Sequence, residues 1–455
     1  MQDGPQAGDV VELAIDALGF GGVGVGRDAS GLVCLVPRTL PGERVEVEIV
    51  DRKPTLARAR LRAVLAPSPQ RVEPPCAYFP TCGGCHLQHL AYEDQLVAKR
   101  EVFVRDLARA LGDEVAAKVA AVVPSPAPLG YRNRTSYHVR DGRLGFVDPL
   151  AGALVEVDRC LVSDPAGQPV VVAVRAWLAE EGRALARSVL DVLVRTGADG
   201  AQCLVVLAAE DVLWAEMRAL AEDGDAGRLQ CLRPLAARIA PAALWISRKA
   251  RARRTPFGDE LVRVAGDARI TERIGPFTLR LSPGSFVQAN PAVAALLYAH
   301  ATDRLAADGA RALDLFCGSG ALAFHVAQRA REVWAVEQDR RALADARASA
   351  RRQGIRNVVW RAGRCETVAR EFAGRGERFD VATVNPPRTG LHEDLPEALG
   401  RLGIGRLVYV SCSPPTLARD LVRLRARGFA LQEVVPFDMF PQTHHLETAT
   451  FLVRA

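Results

Sequence analysis

The sequence lacks any long hydrophobic stretch, and its N-terminus lacks the basic and apolar segments of a secretory signal. Although 49% of the 455 residues are hydrophobic, no uninterrupted apolar run reaches the roughly 18 residues that a membrane helix requires. The first residues are instead polar and acidic, unlike a signal peptide. We therefore expect a globular cytoplasmic protein of two or three domains that contacts no membrane and has no obligate protein partner.

Lysine is almost absent, so that arginine supplies nearly all of the 59 basic residues. The formal net charge of +6 weakly favours an anionic partner. Basic runs are commonly solvated surface, but two clusters here are dense enough to predict contact with RNA. They comprise Arg52, Lys53, Arg58, Arg60 and Arg62, and then Arg248, Lys249, Arg251, Arg253 and Arg254.

The chain has ten cysteines, and disulfides are not expected in a cytoplasmic protein. Cys76, Cys82 and Cys85 lie close together in a proline-rich loop, with Cys160 as a distant fourth. This spacing indicates a metal site and fits an iron–sulfur cluster better than paired zinc hairpins. The other cysteines are expected to be small core or surface residues: Cys34, Cys203, Cys231, Cys317 and Cys365.

Three domains are predicted from the pattern of strands and helices. Residues 1–66 alternate over short segments, which is typical of a small oligonucleotide-binding β-barrel. Residues 67–275 form a mixed α/β central domain that includes the cysteine loop and a helical stretch at 91–112, which could pack on the next domain. Residues 276–455 alternate strands with helices, as in a Rossmann-like doubly wound sheet. The predicted strands there are 311–316, 332–337, 357–362, 379–384, 406–411, 429–437 and 448–453, the last two forming an antiparallel edge hairpin.

A glycine turn follows the first strand of this last domain. Phe316, Gly318 and Gly320 belong to the run that joins the strand to a helix, where glycines permit a sharp turn and close approach of a ligand. Glu337 ends the next strand and can accept hydrogen bonds from ribose hydroxyls. Ala323 stands where dinucleotide enzymes usually carry a third glycine. The pattern therefore favours S-adenosylmethionine, which has no pyrophosphate.

Two further candidates follow strands of the same sheet. Cys412 lies where the strand 406–411 ends, which is where open α/β sheets place their active sites. Asn385 opens an Asn-Pro-Pro-Arg sequence after the strand 379–384. Its amide can both donate and accept hydrogen bonds at a planar base edge. A packed cysteine and a rigid loop are the structural alternatives for these two positions.

Together these motifs resemble the RNA 5-methyluridine (uracil-C5) methyltransferases, specifically the bacterial 23S rRNA branch. The resemblance extends over nearly the whole chain. Further motifs that carry it are Leu40 to Glu43, Gln88 to Leu90, Asp158 to Cys160, Phe286 to Asn290, and Asp438 to Thr448. It implies an N-terminal TRAM barrel, a [4Fe–4S] cluster, S-adenosylmethionine as cofactor, and 23S rRNA as substrate, with tRNA as the other RNA to consider.

The resemblance also implies roles for individual residues. Cys412 is expected to be the nucleophile and Glu447 the base. The cluster ligands would be Cys76, Cys82, Cys85 and Cys160. The cofactor positions would be Gln288, Phe316, Gly318, Gly320, Glu337 and Asn385.

The chain departs from the family pattern at three positions. Asn385 stands in place of aspartate, Ala321 in place of asparagine, and Ser413 in place of asparagine after the nucleophile. These departures leave two alternatives to uridine methylation. One is an RNA-binding or RNA-folding protein without catalysis. The other is an RNA cytosine-5 methyltransferase, in which Asn385 would donate to the unprotonated N3 of cytosine.

Overall fold

The computed structural model describes residues 4–183, 185–200, 202–209, 232–250, 255, 257–258 and 260–454. These residues form a closed five-stranded barrel, two seven-stranded sheets and a two-stranded hairpin. In this part of the chain no helix has both the length and the apolar character needed to cross a membrane.

The strands of the N-terminal barrel alternate between buried and exposed residues. In the strand Arg44–Lys53, for example, Val45, Val47 and Ile49 point into the barrel while their neighbours face outward, as the two-residue repeat of a half-buried strand requires. The spatial order is β1-β2-β3-β5-β4. The five strands are β1 (Val10–Gly19), β2 (Val23–Arg27), β3 (Val33–Pro37), β4 (Arg44–Lys53) and β5 (Leu56–Ala66).

The helix α1 (Tyr92–Leu111) joins the barrel to the C-terminal domain. Leu96, Phe103 and Leu107 lie on its buried face, and they share a hydrophobic core with the C-terminal sheet. The segment after the helix then runs beside the sheet, where Ala120 N–H donates to the Val434 carbonyl. The helical stretch predicted near 91–112 thus forms and packs against the C-terminal domain.

The central domain is a seven-stranded sheet in the order β12-β11-β10-β9-β6-β7-β8. The helices α2 (Gln168–Ala179) and α3 (Arg233–Ile239) pack on it and enclose the buried Trp177. A hairpin of β13 (Ile270–Ile274) and β14 (Phe277–Leu281) leads into the last domain. The strands of the sheet are β6 (Arg134–Arg140), β7 (Arg143–Val147), β8 (Leu154–Glu156), β9 (Val189–Thr196), β10 (Cys203–Ala209), β11 (Ala243–Arg248) and β12 (Leu261–Ala265).

The C-terminal domain is the predicted doubly wound sheet, in the order β17-β16-β15-β18-β19-β21-β20. Its first five strands are parallel, and the final hairpin is antiparallel. The observed strands are β15 (Arg311–Leu315), β16 (Glu332–Glu337), β17 (Val358–Ala362), β18 (Val381–Val384), β19 (Arg406–Ser411), β20 (Phe429–Phe437) and β21 (Glu447–Arg454). The helices are α4 (Pro291–Leu305), α5 (Ala321–Ala327), α6 (Arg340–Arg352), α7 (Cys365–Gly374), α8 (Leu395–Arg401) and α9 (Pro414–Arg425).

The strand positions agree with the sequence prediction, but several ends differ. The strand predicted at 379–384 begins at Val381, because Phe379 N–H and Asp380 N–H bond outside the ladder, to Leu402 and Arg311. The first strand ends at Leu315, one residue early, because Phe316 turns into the left-handed region with φ 63°.

A buried ion pair fixes α1 to the loop between β20 and β21. Lys99 Nζ lies 2.6 Å from Asp438 Oδ1, and both side chains are almost fully buried. Tyr92 donates a hydrogen bond to the other Asp438 oxygen at 2.9 Å. Lys99 also donates to the Phe440 carbonyl at 3.2 Å. Because each charge is paired and hydrogen-bonded, the pair is tolerated in the core.

We expect Lys99→Ala to lower the free energy of unfolding of the C-terminal domain by about 3–5 kcal/mol, since it leaves the Asp438 carboxylate buried and unpaired. Chemical denaturation measures this change. The matched control is Arg109→Ala on the same helix, because Arg109 pairs with Asp106 at the surface and such pairs contribute little. The double variant Lys99→Ala/Asp438→Ala should lose less than the sum of its single variants. Equal losses in the Lys99 and Arg109 variants would contradict this account.

Candidate active site

The glycine turn after β15 adopts the backbone that its sequence predicts. Gly318 and Gly320 both have positive φ, at 53° and 87°, a region that favours glycine. At Gly320 a Cβ atom would lie 2.9 Å from the Trp360 ring, so the turn packs tightly beneath. At Gly318 a Cβ would meet nothing within 4 Å. The upper side of the turn is therefore open.

Glu337 is held beside this turn by backbone donors. Gly318 N–H donates to one carboxylate oxygen at 3.0 Å, and Asp339 N–H donates to the other at 2.8 Å. The side chain remains partly exposed at the end of β16. A carboxylate so placed can accept hydrogen bonds from the hydroxyls of a ribose.

Asp314 is a second carboxyl group near the turn, and no sequence motif singled it out. It is buried in β15, where it accepts a hydrogen bond from Thr383 at 2.6 Å. Burial raises its pKa to about 7, and the nearby Glu337 adds to the rise. Its position in the middle of an apolar strand pattern was the only available signal, because a charged residue there is unusual.

Cys412 lies directly after β19 and is half-buried. Burial raises its pKa to about 11, and the Glu447 carboxyl contributes to the increase. The Arg388 guanidinium lowers the pKa of Cys412, through its charge and a hydrogen bond to the sulfur, and so partly offsets the effects of burial and Glu447. Arg388 is thus the cation that stabilises a thiolate here. Sequence reasoning quoted it within the Asn-Pro-Pro-Arg motif but gave it no role.

Glu447 comes next to Cys412 because of the register of the last strand. In the antiparallel pair of β19 and β21, Ser411 lies opposite Thr448. Thr448 also donates its hydroxyl to the Ser411 carbonyl at 3.1 Å. The next residue along one strand is Cys412, and the residue before Thr448 is Glu447. The predicted nucleophile and the predicted base are therefore brought together from positions 35 residues apart in sequence.

The Glu447 carboxyl is buried, which raises its pKa to about 8. Two side chains partly offset this rise: Gln288, which interacts with the carboxyl, and the more distant Arg388. Gln288 also faces the Tyr298 hydroxyl. In this structure Gln288 thus lies against the predicted base.

The central domain holds the Gln288 loop in place. Arg195 donates to Glu272 at 3.0 Å and to the Ser285 carbonyl at 3.1 Å, with no exposed side-chain surface of its own. Asn133 donates to the second Glu272 oxygen at 2.8 Å, and its backbone N–H donates to the Ala289 carbonyl at 3.0 Å. This hydrogen-bond network therefore attaches the central sheet to the loop that carries Gln288.

Asn385 follows β18 and is half-buried, with its backbone N–H donating to the Leu315 carbonyl at 3.2 Å. It therefore lies between the glycine turn and Cys412 along the same edge of the sheet. Pro386 and Pro387 stiffen the chain between it and Arg388.

A cavity of about 100 Å³ opens beside Cys412. Sequence reasoning missed much of its wall, because that wall comes from the N-terminal barrel, the 86–90 loop and α1. Neighbouring walls are supplied by the β20–β21 loop. The lining residues include Phe20, Gly22, Lys99, Arg388, His444 and His445.

The four cysteines predicted as ligands line one smaller cavity of about 30 Å³. Burial raises the pKa of Cys82 to about 11 and that of Cys85 to about 12, and Cys160 adds to both increases. Within the described ranges, no group of three or more His, Cys, Asp or Glu side chains is placed to hold a single metal ion. The structure thus brings the four residues around a common space without forming a single-ion site.

The remaining cysteines behave as packing residues where the structure describes them. Cys34, Cys317 and Cys365 are buried, and Cys203 is partly buried. Cys231 lies outside the described residues.

The two basic clusters differ from one another. In the first, Arg52, Lys53 and Arg58 are exposed, while Arg60 and Arg62 pair with Glu48 on the barrel. In the second, Lys249 is buried and pairs with Asp191, so it is not an RNA-contacting surface residue. Arg251, Arg253 and Arg254 lie outside the described residues.

Comparison with known proteins identifies two segments. Residues 235–455 match the tRNA (uracil-5-)-methyltransferase family, and residues 6–61 match the TRAM domain. An uncharacterized RNA methyltransferase of Halalkalibacterium halodurans is 32% identical over 460 residues, covering 98% of this chain and 97% of that protein. Another from Listeria innocua is 31% identical over 468 residues, covering 100% and 99%.

A solved structure is similar over almost the same extent. The Pyrococcus abyssi tRNA (uracil-54, C5)-methyltransferase, in complex with S-adenosyl-L-homocysteine, has a TM-score of 0.75 and 26% identity. The similarity covers 97% of this chain and 100% of that one. These findings confirm the predicted fold class and the predicted family. The chain belongs to the tRNA (uracil-5-)-methyltransferase family of S-adenosylmethionine-dependent RNA uracil-5 methyltransferases, and it carries a TRAM domain at its N-terminus.

Proposed function

We propose that this protein methylates carbon 5 of a uridine in 23S rRNA, in the cytoplasm, through a covalent bond between Cys412 and carbon 6 of the base. The observation that carries the proposal is the pairing of Cys412 with Glu447 at one end of β19 and β21. Arg388 lies against the sulfur. A thiol and a cation that line one cavity thus lie beside a buried carboxyl group.

Covalent addition solves a chemical problem, because carbon 5 of uracil is a poor nucleophile. The Cys412 thiolate adds to carbon 6, which places negative charge on carbon 5 and the adjacent carbonyl. Arg388 favours the thiolate that this step consumes, against the burial that disfavours it. The base must leave its stack to reach the sulfur, at a cost of a few kcal/mol.

S-adenosylmethionine, when bound, supplies the methyl group that carbon 5 accepts. The residues present fit such a ligand: the turn at Gly318 is open, and the Glu337 carboxylate faces that turn. We assign its contacts to Gln288, Phe316, Gly318, Gly320, Glu337 and Asn385.

Glu447 completes the reaction by accepting the proton from carbon 5 once the methyl group is in place. The carbon 5–proton bond breaks, its electrons re-form the ring double bond, and the bond from carbon 6 to sulfur breaks to release Cys412 as a thiolate. A pKa of about 8 gives the carboxyl group enough basicity for this transfer, since a general base works best near the operating pH.

We expect Cys412→Ala to abolish methyl transfer while RNA binding persists, because the nucleophile is lost but the surface is not. Transfer from labelled S-adenosylmethionine to RNA from cells lacking the protein measures the first, and filter binding measures the second. Wild type should also form a stable adduct with RNA that contains 5-fluorouridine, because fluorine blocks the elimination. Cys203→Ala in the central domain is the matched control. Turnover by Cys412→Ala near the wild-type rate would disprove the covalent route.

We expect Glu447→Gln to slow release more than addition, so that RNA already methylated accumulates on Cys412. Denaturing electrophoresis of the reaction, followed by nucleoside analysis of the trapped RNA, measures this. Wild-type turnover by the variant would mean that another group is the base.

The raised pKa of Glu447 also predicts a pH dependence of stability. A carboxyl group whose folded pKa lies near 8 instead of 4.5 favours the folded state while it is protonated. That contribution is lost as pH rises from 4.5 through 8, with a slope of at most about 1.4 kcal/mol per pH unit. Glu447→Gln should reduce the measured slope by this amount and leave the part that Asp314 contributes up to about pH 7, whereas Glu393→Gln, at an exposed position, should retain the full slope.

The alternative to 23S rRNA as the proposed substrate is tRNA. The similar solved structure is named for tRNA uracil 54, which favours tRNA, whereas the sequence motifs favour 23S rRNA. Nucleoside mapping of rRNA and tRNA from cells with and without the protein decides between them. Loss of 5-methyluridine from tRNA alone would overturn the rRNA assignment. Loss of 5-methylcytidine instead would favour the cytosine alternative, and no loss would favour an RNA-binding role.

We further propose that Cys76, Cys82, Cys85 and Cys160 hold a [4Fe–4S] cluster. The support is that all four line one cavity. A [4Fe–4S] cluster is held by four cysteine thiolates, which matches the number of cysteines around this cavity. The cluster would supply positive charge to thiols that burial keeps protonated.

Anaerobically purified protein should therefore be brown and contain about four irons and four sulfides per chain. Cys160→Ser should lower both contents, while Cys203→Ser should leave them unchanged. Stoichiometric zinc without iron would refute the cluster.

A further inference from the structure

A continuous series of rings runs along the cavity from the barrel to the interior. The Phe20 ring lies 5.4 Å from that of His444, which lies 3.9 Å from His445 and 4.6 Å from His86. The His445 ring in turn lies 6.0 Å from Phe440. Phe20, His444 and His445 line the same cavity as Cys412. The pocket of the reacting base therefore has an aromatic wall.

The barrel is fitted closely to this wall. Gly22 has φ 68°, and a Cβ atom there would lie 3.3 Å from His86 Cβ and 3.4 Å from His444 Cβ. The turn between β1 and β2 therefore sits directly against the histidines. Phe20, two residues earlier, remains 57% exposed even though its ring contacts His444. It presents a large aromatic surface to solvent at the mouth of the cavity.

The chemistry of this wall suits a nucleobase. Burial lowers the pKa of His444 to about 2 and that of His445 to about 4, so both rings are neutral at physiological pH. Neutral rings stack on the faces of bases, whereas phosphates require cations. A uridine that turns out of its stack leaves its neighbour without a stacking partner. An exposed ring at the entrance can replace that partner.

We propose that Phe20, backed by His444, stacks on the nucleobase adjacent to the target uridine in the same RNA strand. The TRAM barrel then builds part of the active-site pocket itself, in addition to binding RNA elsewhere on its surface. This inference rests on the proposed function for the position of the target base at Cys412. An apolar peptide is the other possible occupant, and the test distinguishes it.

The first test is kinetic, with RNA from cells lacking the protein as substrate. Phe20→Ala should raise the KM for RNA by about 10-fold, within the range that loss of one base–aromatic stack gives. The kcat and the KM for S-adenosylmethionine should change by less than twofold. Phe20→Tyr should restore binding, whereas Phe20→Leu, which keeps apolar bulk without a ring, should not. Val10→Ala is the matched control, since Val10 is equally exposed on the same barrel.

The second test reports stacking directly and does not require catalysis. A short single-stranded RNA carries 2-aminopurine next to a uridine, and stacking on a ring quenches the fluorescence of 2-aminopurine. Wild type, Phe20→Tyr and Val10→Ala should quench it, while Phe20→Ala and Phe20→Leu should not.

Failure of the stacking proposal and failure of the proposed methylation give different results in these tests. Equal quenching and equal KM in Phe20→Ala and Val10→Ala would overturn the stacking site while leaving methylation intact. Absence of methyl transfer by wild type would overturn the proposed function, and the quenching assay would still test the ring. Recovery by Phe20→Leu in both assays would show that apolar contact suffices, which contradicts a stacked base and favours a peptide.

Discussion

The active site depends on the buried ion pair between Lys99 and Asp438. One partner lies on α1 and the other at the end of β20, so the pair fixes the start of the loop that carries His444 and leads to Glu447. Further hydrogen bonds extend the attachment. Gln95 and Gln442 bond through their side chains at 3.0 Å, and the Gln442 carbonyl accepts from the backbone of the 86–87 segment. The 86–87 segment, α1 and the loop between β20 and β21 are therefore held as one assembly.

Strand order then brings the chemistry together. A parallel sheet alone would place Glu337, Asn385 and Cys412 along one edge, each at the end of its strand. Insertion of β21 antiparallel between β19 and β20 adds the start of a strand to that edge, and this start is Glu447. Because the carboxyl group enters from a buried strand, it is desolvated and its pKa rises. The same topology thus supplies both the position and the basicity of the proposed base.

Sequence reasoning identified what local patterns encode. The alternating barrel strands, the glycine turn at Gly318 and Gly320, and the strand that ends at Cys412 all depend on residues close together in the chain. The cavity walls depend on docking between distant elements, which periodicity does not report. Phe20 resembled any loop aromatic, and Lys99 resembled any helix-surface lysine. Lys249 was misread for the same reason, since its pairing with Asp191 joins residues 58 positions apart.

The three departures from the family pattern leave Cys412 and Glu447 themselves unchanged. Ser413 contributes mainly through its backbone, whose carbonyl accepts from Thr416 and whose N–H donates to Ser411, so its side chain is not required for the turn. Ala321 is buried in the core, where an amide would need partners of its own. Asn385 differs in kind. Its oxygen can accept the N3 proton of uracil as the family aspartate does, but without the charge that makes such a bond roughly twice as strong. In the proposed reaction, the Asn385 departure therefore weakens the polarisation of the base, while both proposed catalytic residues, Cys412 and Glu447, are retained.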